Sequence, residues 1–356
     1  GRAKKLTTTM LATGGGFVCV PAIELTDIKA SGEPPATAEF DWLAAKPQAL
    51  RARIAEGGLT TCNRRPTALA KMLERALSRQ VKILIGNGME SQPFVTAEHR
   101  IMVERGPDIV RGLAIIAAAM ETGRTILAVD HRRTDAYREL VKPAGVYRLE
   151  RVALSHKYPT GDDAMLASIL AGREIPIGGG TFDVGAAVVN IATCLAVHDW
   201  IILGRPPVER VVTLSGERMA KPGNFRIPFG TPISDLAAAT RHSRLIHGGP
   251  MTGLACVDHA VVGPSTDAVL AIEQLPRTAP GACIRCGWCT DHCPVQLNVA
   301  ALNDMYELNH VRRAEKAGSQ ACIACGVCSY ICPASLPLMH RVQHLNAVIR
   351  KSGTSS

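Results

Sequence analysis

The pattern of apolar and polar positions changes period several times along this chain. Between about residues 47 and 150, apolar residues recur at helical spacing over 66–79, over Ile101–Met120 and over 133–142. Short apolar runs stand between these segments at Val81–Ile85, which ends at Gly86-Asn87-Gly88, and at Thr125–Val129. Strands alternating with helices predict an α/β layer built on a parallel sheet. The alternation continues through 150–203, with a helix over Asp163–Ala171, a glycine cluster at Gly178–Gly180 and an apolar stretch from Val184 to His198. Gly204-Arg205-Pro206-Pro207 breaks the pattern. Strand-like Arg210–Ser215 and Phe225–Pro228, with a helical Ser234–Ala239, then suggest a small β-rich module. Pro264–Pro280 reads as a connector, and the remainder as helices around a dense set of cysteines.

Ahead of the α/β part lie a basic start, the run Thr7–Thr9, Gly14–Gly16 and a strand-like Phe17–Leu25. Ser31–Thr37, with a Gly and two prolines, reads as a linker. The expected division is 1–35, 36–203, 204–264 and 265–356. No window approaches the roughly 18 uninterrupted apolar residues of a membrane span; the longest candidate, Gly112–Met120, reads as one face of a helix. The chain opens on Gly1 without a basic-apolar-small pattern, so no secretory signal is expected, and the missing initiator Met suggests a trimmed product or a fragment.

Length and composition narrow the class. The 356 residues suggest about two or three domains, and 47% hydrophobic with 20% charged residues excludes wholesale disorder. A chain of this size can bury real cores, so cysteines are not needed as staples. The net charge of +9 admits nucleic acid, an anionic membrane surface, an acidic protein or a phosphorylated cofactor. Five Tyr, six Phe and three Trp leave few platforms for stacking bases, and no Lys/Arg run exceeds two residues. No nucleic-acid partner is therefore expected.

The twelve cysteines divide unevenly. Cys19, Cys62, Cys194 and Cys256 are scattered and read as small buried apolar residues. Cys283, Cys286, Cys289 and Cys293 repeat the spacing of Cys322, Cys325, Cys328 and Cys332, and each run ends in Cys-Pro. This is the ferredoxin-type C-x₂-C-x₂-C-x₃-C-P pattern, present twice. A turn that exposes a thiolate every third residue wraps three corners of an Fe₄S₄ cube. The last Cys then enters a helix through Pro, which gives up an N–H that would be unpaired there. Zinc usually takes two C-x₂-C pairs, and a disulfide net suits a small secreted domain. In two-cluster ferredoxins the fourth Cys of each run ligates the other cluster. The expected ligand sets are thus Cys283, Cys286, Cys289 and Cys332 for one [4Fe–4S] cluster, and Cys322, Cys325, Cys328 and Cys293 for the second.

Beyond the cysteine spacing, Cys283-Ile-Arg-Cys-Gly-Trp-Cys and Cys322-Ile-Ala-Cys-Gly-Val-Cys-Ser-Tyr-Ile-Cys-Pro resemble the cluster domain of the RnfC family, the peripheral subunits of Rnf membrane complexes. Asn87-Gly88-Met89-Glu90-Ser91-Gln92-Pro93 with Glu98-His99-Arg100-Ile101-Met102 is similar to that family's N-G-x-E-C-E-P…D-H-R-x-M segment. Lys157-Tyr158-Pro159-Thr160-Gly161 resembles its K-Y-P-x-G loop, Gly172-Arg173-Glu174-Ile175-Pro176 its G-R-E-x-P, and Val189–Thr193 its V-x-N-x-x-T. Arg210–Gly216 resembles the entry to its soluble-ligand-binding β-grasp (SLBB) module, and Gly248-Gly249-Pro250-Met251 its G-G-P-M. The resemblance is collinear over about residues 50–345. It implies an α/β flavoprotein-like domain like the FMN subunit of complex I, then a β-grasp module and an α-helical two-[4Fe–4S] domain. It also implies FMN and NADH chemistry feeding the two clusters, integral membrane subunits and ferredoxin-like proteins as partners, and a peripheral place on the cytoplasmic side of the cell membrane. A flavin accepts a hydride and releases electrons singly, which suits clusters that take one each.

Three stretches depart from the family. Its flavin-cradling G-x-G-G-A-G-F-P-T is here Gly58-Leu59-Thr60-Thr61-Cys62-Asn63-Arg64-Arg65-Pro66-Thr67, so Thr61, Cys62 and Asn63 would occupy space that glycines leave open. The second acid of E-C-E-P is Gln92, and Asp162-Asp163 follow the K-Y-P-x-G loop where the family has G-E. The usual N-terminal barrel-sandwich domain is missing or reduced to residues 1–35. Two versions of the function follow, one with FMN and one as a flavin-free iron–sulfur relay. A third is a related cobalamin reductase of a microcompartment, whose relatives usually have a less regular second cysteine run.

Each candidate flavin-site residue has two readings. Arg64 and Arg65 would hold a phosphate at a helix start or be solvated charges. Glu90 would contact flavin or nicotinamide, or cap a helix or turn. Lys157 would neutralise an anionic flavin or lie on the surface, and Asn190 and Thr193 would hydrogen-bond the flavin region or cap the helix that follows. Gly178–Gly180 lack the G-x-G-x-x-G spacing and read as a turn. His156, His198, His242 and His247 show no metal spacing. Segment 281–356 holds seven Lys and Arg against four Asp and Glu, a +3 that ligating thiolates would cancel. The basic excess then lies in residues 1–280, as a docking surface for an anionic membrane face or acidic partners.

Overall fold

The computed structural model describes residues 2–13, 16–26, 40–237, 243–273 and 279–353. The linker expected at 31–37 and His242 lie outside the described residues. The chain opens with a long antiparallel hairpin, β1 (Arg2–Thr13) and β2 (Gly16–Thr26).

The α/β domain follows as α1 (Pro47–Glu56), α2 (Leu69–Ser78), β3 (Ile83–Gly88), α3 (Ala97–Met120), β4 (Arg124–Asp130), α4 (Thr134–Val146), β5 (Glu150–Leu154), α5 (Asp163–Ala171), β6 (Ala186–Asn190) and α6 (Ile191–Leu203). Its four strands pair in parallel in the order β5-β4-β3-β6. Ile126–Val129 and Ala186–Val189 are buried residue after residue, as a sheet covered on both faces requires. Leu84, Leu127 and Ala187 face the larger core with the residues of α1–α4 and α6, whereas Ile85, Ala128 and Val188 face a smaller core with Leu166 and Ala167 of α5. α3 is kinked at Arg105, just ahead of Pro107, whose ring cannot follow an undistorted turn. Beyond the kink it presses so closely on α6 that a Cβ on Gly112 would stand 1.9 Å from the Cys194 carbonyl oxygen. The edge strand β5 has no apolar run to mark it, because only one side of it is covered.

The second module contains β7 (Glu209–Ser215), β8 (Gly223–Pro228), α7 (Ile233–Leu236), β9 (Ser243–His247), β10 (Leu254–Ala255) and β11 (Ala268–Glu273). The strand order is β10-β9-β11-β7-β8, with β11 parallel to β7 at the centre. This corrects the reading of 264–280 as connector: Ala268–Ala271 are buried in the middle of the sheet, so the module extends to Glu273. The hairpin belongs with this module. Met10 bridges Ala260, the Ser265 hydroxyl donates to the Ala12 carbonyl at 3.1 Å, and Phe17 packs edge-on to His247.

The last domain is helical: α8 (Trp288–Asp291), α9 (Val299–Glu307), α10 (Val311–Lys316), α11 (Val327–Ile331) and α12 (Leu338–Gly353). Its core of Leu297, Val299, Leu302, Ala314, Leu336, Leu338, Val342 and Leu345 carries six of the eight motif cysteines packed on one side. Among the described residues no helix is long and apolar enough to cross a membrane. Of the four scattered cysteines only Cys62 and Cys194 are buried; Cys19 is exposed and Cys256 half-buried, which corrects the expectation for those two.

Candidate functional site

Both cysteine runs adopt the same local form. Gly287 and Gly326, the residues after each second cysteine, are left-handed (φ 80° and 81°) and open the short helices α8 and α11. Glycine is the residue that enters this conformation without steric cost. Cys293, Cys322, Cys325 and Cys328 line one small cavity, closed by Pro294, Val295, Leu297, Val299, Met339 and Val342. The cavity thus joins the first three cysteines of the second run to the last of the first. Backbone N–H groups already point at its sulfurs: Leu297 donates to Cys293 Sγ and Ala324 to Cys322 Sγ, each at 3.4 Å, and Gln343 Nε2 approaches Cys322 Sγ at 3.5 Å. Thiolates around an apolar cavity, with N–H donors aimed at sulfur, are what a [4Fe–4S] cluster needs. The residues fit the group.

The other set stands in a different setting. Cys286 is exposed, Cys283, Cys289 and Cys332 are half-buried, and Ile284, Trp288 and Tyr330 beside them are exposed apolar residues. The Cys322–Cys328 loop instead faces inward. Tyr158 Oη donates to the Cys325 carbonyl at 2.6 Å. A Cβ on Gly326 would stand 2.3 Å from the Met251 carbonyl oxygen, and one on Gly178 would stand 2.7 Å from Gln320 Oε1. The turn that carries Met251 is held by Gln92, which donates to Thr252 Oγ1 at 2.8 Å and accepts from the Met251 N–H at 3.3 Å. Gln92, one of the departures from the family pattern, therefore ties the α/β domain to the module that abuts the inner cluster loop.

Of the flavin-site candidates, Glu90, Asn190 and Thr193 stand at the carboxyl ends of β3 and β6, where open α/β sheets bind ligands. Here the ends close on protein. Asn190 caps α6, accepting from the Thr193 N–H at 3.0 Å, and its amide donates to the Cys62 carbonyl at 2.8 Å. The Cys62 N–H donates to Thr193 Oγ1 at 2.9 Å, and the Thr61 N–H to the Thr67 carbonyl at 2.8 Å. Leu59, Thr61 and Cys62 are 2%, 3% and 8% exposed. The N–H groups of Thr61 and Cys62 are therefore spent inside the protein, and their side chains fill the cradle. Those two N–H groups are not available to an FMN phosphate. The helix-cap reading of Asn190 and Thr193 is the one the structure displays.

Glu90 likewise caps a helix, accepting from the N–H groups of Glu98 and His99 at 2.8 and 3.1 Å. Burial, with Glu98 nearby, pushes its carboxyl up to about 8. Glu98 is itself raised to about 7 by burial, against the opposing pull of the buried Arg210, whose Nη2 lies 3.6 Å away. Sequence reasoning did not single out Glu98 or Arg210 as site residues; what they share is a place at the junction of two domains. Arg64 and Arg65 are exposed and precede α2, so neither stands at a helix start. Arg64 instead rims a polar cleft lined by Gln92, His247, Ser265 and Asp267. Lys157 is exposed. Next to it, burial raises Tyr158 and the Asp162 carboxyl, and desolvation with Asp162 beside it pushes the half-buried Asp163 up to about 6. Gly178–Gly180 form a turn that leads into a short 3₁₀ segment, and His156 pairs with Asp130.

The Nuo51 FMN-binding domain family matches residues 64–199, beginning just after the filled part of the loop, and the 4Fe-4S dicluster domain family matches 275–333. The NAD+-reducing [NiFe]-hydrogenase, in its air-oxidised crystal structure, shares the fold at a TM-score of 0.54 and 16% identity, over 85% of this chain and 61% of that one. The chain is 32% identical over 242 residues to the C subunit of the proton-translocating ferredoxin:NAD(+) oxidoreductase complex of Clostridium ljungdahlii, a match that covers 64% of this chain and 53% of the relative. The C subunit of the ion-translocating oxidoreductase complex of Pseudomonas aeruginosa is 33% identical over 75% of this chain and 36% of its own. That of Rhodobacter capsulatus is 34% identical over 309 residues, 84% of this chain and 60% of its own, so the chain spans less than two thirds of the length of these relatives. Similarity sustained over that share of the sequence makes the chain a member of the RnfC family, the C subunits of ion-translocating oxidoreductase (Rnf) complexes.

Proposed function

We propose that this chain is an electron-transfer subunit of a membrane-associated redox complex, working as a one-electron relay between a flavin- or NADH-side donor and membrane or ferredoxin-like acceptors. What carries the reading is the cavity that gathers Cys293 with Cys322, Cys325 and Cys328 beneath the α/β domain. A [4Fe–4S] cluster bound there supplies one-electron storage. The chain's own residues do the rest: thiolates hold the group, the Leu and Val core excludes water, and Tyr158 with the Met251 turn fixes the loop. At the other end, Cys286, Ile284, Trp288 and Tyr330 offer an exposed face on which a partner can approach.

The flavin side of the reaction belongs, on this reading, to a donor outside the 58–67 loop. We place the chain on the cytoplasmic face of the cell membrane, its basic residues toward anionic lipid or acidic partners. The test is anaerobic purification and reconstitution. We expect about eight irons per chain for two [4Fe–4S] clusters, two EPR signals on reduction, and no quenching of FMN fluorescence on titration. One flavin bound per chain would overturn the relay form, and iron near zero after reconstitution would overturn the reading as a whole.

A further inference from the structure

The inner cysteine loop receives a directed polar contact from the α/β domain. Tyr158 reaches out of the α/β domain, and its hydroxyl donates to the backbone carbonyl of Cys325 at 2.6 Å. Cys325 is 9% exposed, whereas Cys286, its counterpart in the first run, is exposed.

Tyr158 is presented rigidly. Its loop is pinned to the end of β3, where Asn87 Nδ2 donates to the Gly161 carbonyl at 2.9 Å and a Cβ on Gly161 would stand 2.1 Å from the Met89 carbonyl oxygen. Within the loop the Thr160 N–H donates to the Lys157 carbonyl at 2.7 Å, and the Asp162 N–H to the Pro159 carbonyl at 2.8 Å. A hydroxyl held this way has one place to donate, and it is half-buried, where a hydrogen bond acts in a low local dielectric.

We propose that Tyr158 is a positioning residue of the inner cluster: by donating to the Cys325 carbonyl it holds the ligand loop on the α/β domain and raises the reduction potential of that cluster alone. The inference rests on the two-cluster relay reading above. The physical cause is local. The oxygen of the Cys325 peptide carries negative partial charge beside a ligating sulfur, which opposes an added electron. A proton donor on that oxygen offsets the charge. Hydrogen bonding is one of the protein levers on cluster potential.

The experiment is an EPR-monitored redox titration of the full chain with both clusters in place. The inner signal is assigned as the one missing from Cys293→Ser. Tyr158→Phe should shift that signal to lower potential and leave the other unchanged. 3-Fluorotyrosine at position 158, a stronger donor of the same shape, should shift it upward, and this arm stands even if the Phe variant fails to fold. Ile177→Ala, which loosens the same interface beside Gly318 without touching the hydrogen bond, should leave both signals in place. The inference is overturned if both potentials stay put in Tyr158→Phe and fluorotyrosine protein, if both signals move together, or if Ile177→Ala shifts the inner signal as far as Tyr158→Phe does. In each of those cases two clusters are still present and the relay reading survives; wild-type protein without two reducible clusters overturns both.

Discussion

The two cysteine runs of this chain are near copies placed in opposite surroundings. Spacing, terminal proline, left-handed glycine and short following helix are shared. Yet a Cβ on Gly287 would meet nothing nearer than 3.9 Å, while one on Gly326 would drive into the Met251 carbonyl oxygen. The motif specifies how four thiolates are offered. It does not specify whether solvent or protein lies behind them, although exposure is one of the terms that sets a cluster's potential. Two chemically equivalent motifs can thus become an inner and an outer station through tertiary contacts alone.

The largest expected effect tests the crossed ligand sets. Cys293→Ser should abolish the cluster held by Cys322, Cys325 and Cys328, although it lies in the other run, and Cys332→Ser should abolish the outer one. Iron should fall to about four per chain in each case, with different EPR signals surviving. If Cys293→Ser removed the signal that depends on Cys283, the uncrossed arrangement would hold.

A smaller effect separates the two glycines. Alanine at either position meets the left-handed penalty, roughly 1–2 kcal/mol. At position 326 the overlap with Met251 adds a packing term of about 1–3 kcal/mol. Thermal denaturation should therefore show Gly326→Ala clearly less stable than Gly287→Ala, and equal losses would mean that the inner loop is not seated on the Met251 turn.

The α/β domain offers a pH test of how tightly its former ligand crevice is closed. Glu90 and Glu98 are held at about 8 and about 7 by burial, against roughly 4.3 in an unfolded chain. Raised carboxyl values favour the protonated folded form, so their contribution is complete below the unfolded value and is lost progressively as pH rises toward the folded values. The melting temperature should fall between about pH 5 and pH 8, and Glu90→Gln should flatten that fall. An unaltered slope in the variant would show the crevice to be wetter than the packing implies. The smallest stability effect belongs to the outer face: Trp288→Ala and Tyr330→Ala should change stability by within about 0.5 kcal/mol. Electron exchange with an external acceptor, followed by stopped flow, should nonetheless slow several-fold.

Much of the architecture was readable from pattern. Helix α5 falls on Asp163–Ala171 as expected, and β3, β4 and β7 lie within a few residues of their apolar runs. Elements with weak patterns were not readable. β5 is an edge strand covered on one side and has no apolar run, whereas β11 has the short apolar run Ala268–Ile272 inside a stretch bounded by prolines. The pairing of the N-terminal hairpin with residues 259–265 joins segments some 250 positions apart, a separation that local periodicity cannot encode.

The ligand chemistry was determined by the sequence itself, because the grip on a cubane is a property of cysteine spacing within a few residues of chain. So was the departure of the 58–67 loop from the glycine-rich pattern it resembles, written in Thr61, Cys62 and Asn63. Tertiary structure decided what those residues do. It turned Asn190, Thr193 and Glu90 into caps, gave Gln92 a turn to hold, and set Tyr158 against Cys325 while leaving its counterpart Cys286 exposed. The reason is physical: spacing acts through the backbone over a few bonds, whereas burial, hydrogen-bond partners and charge are set by whatever distant segment folds alongside.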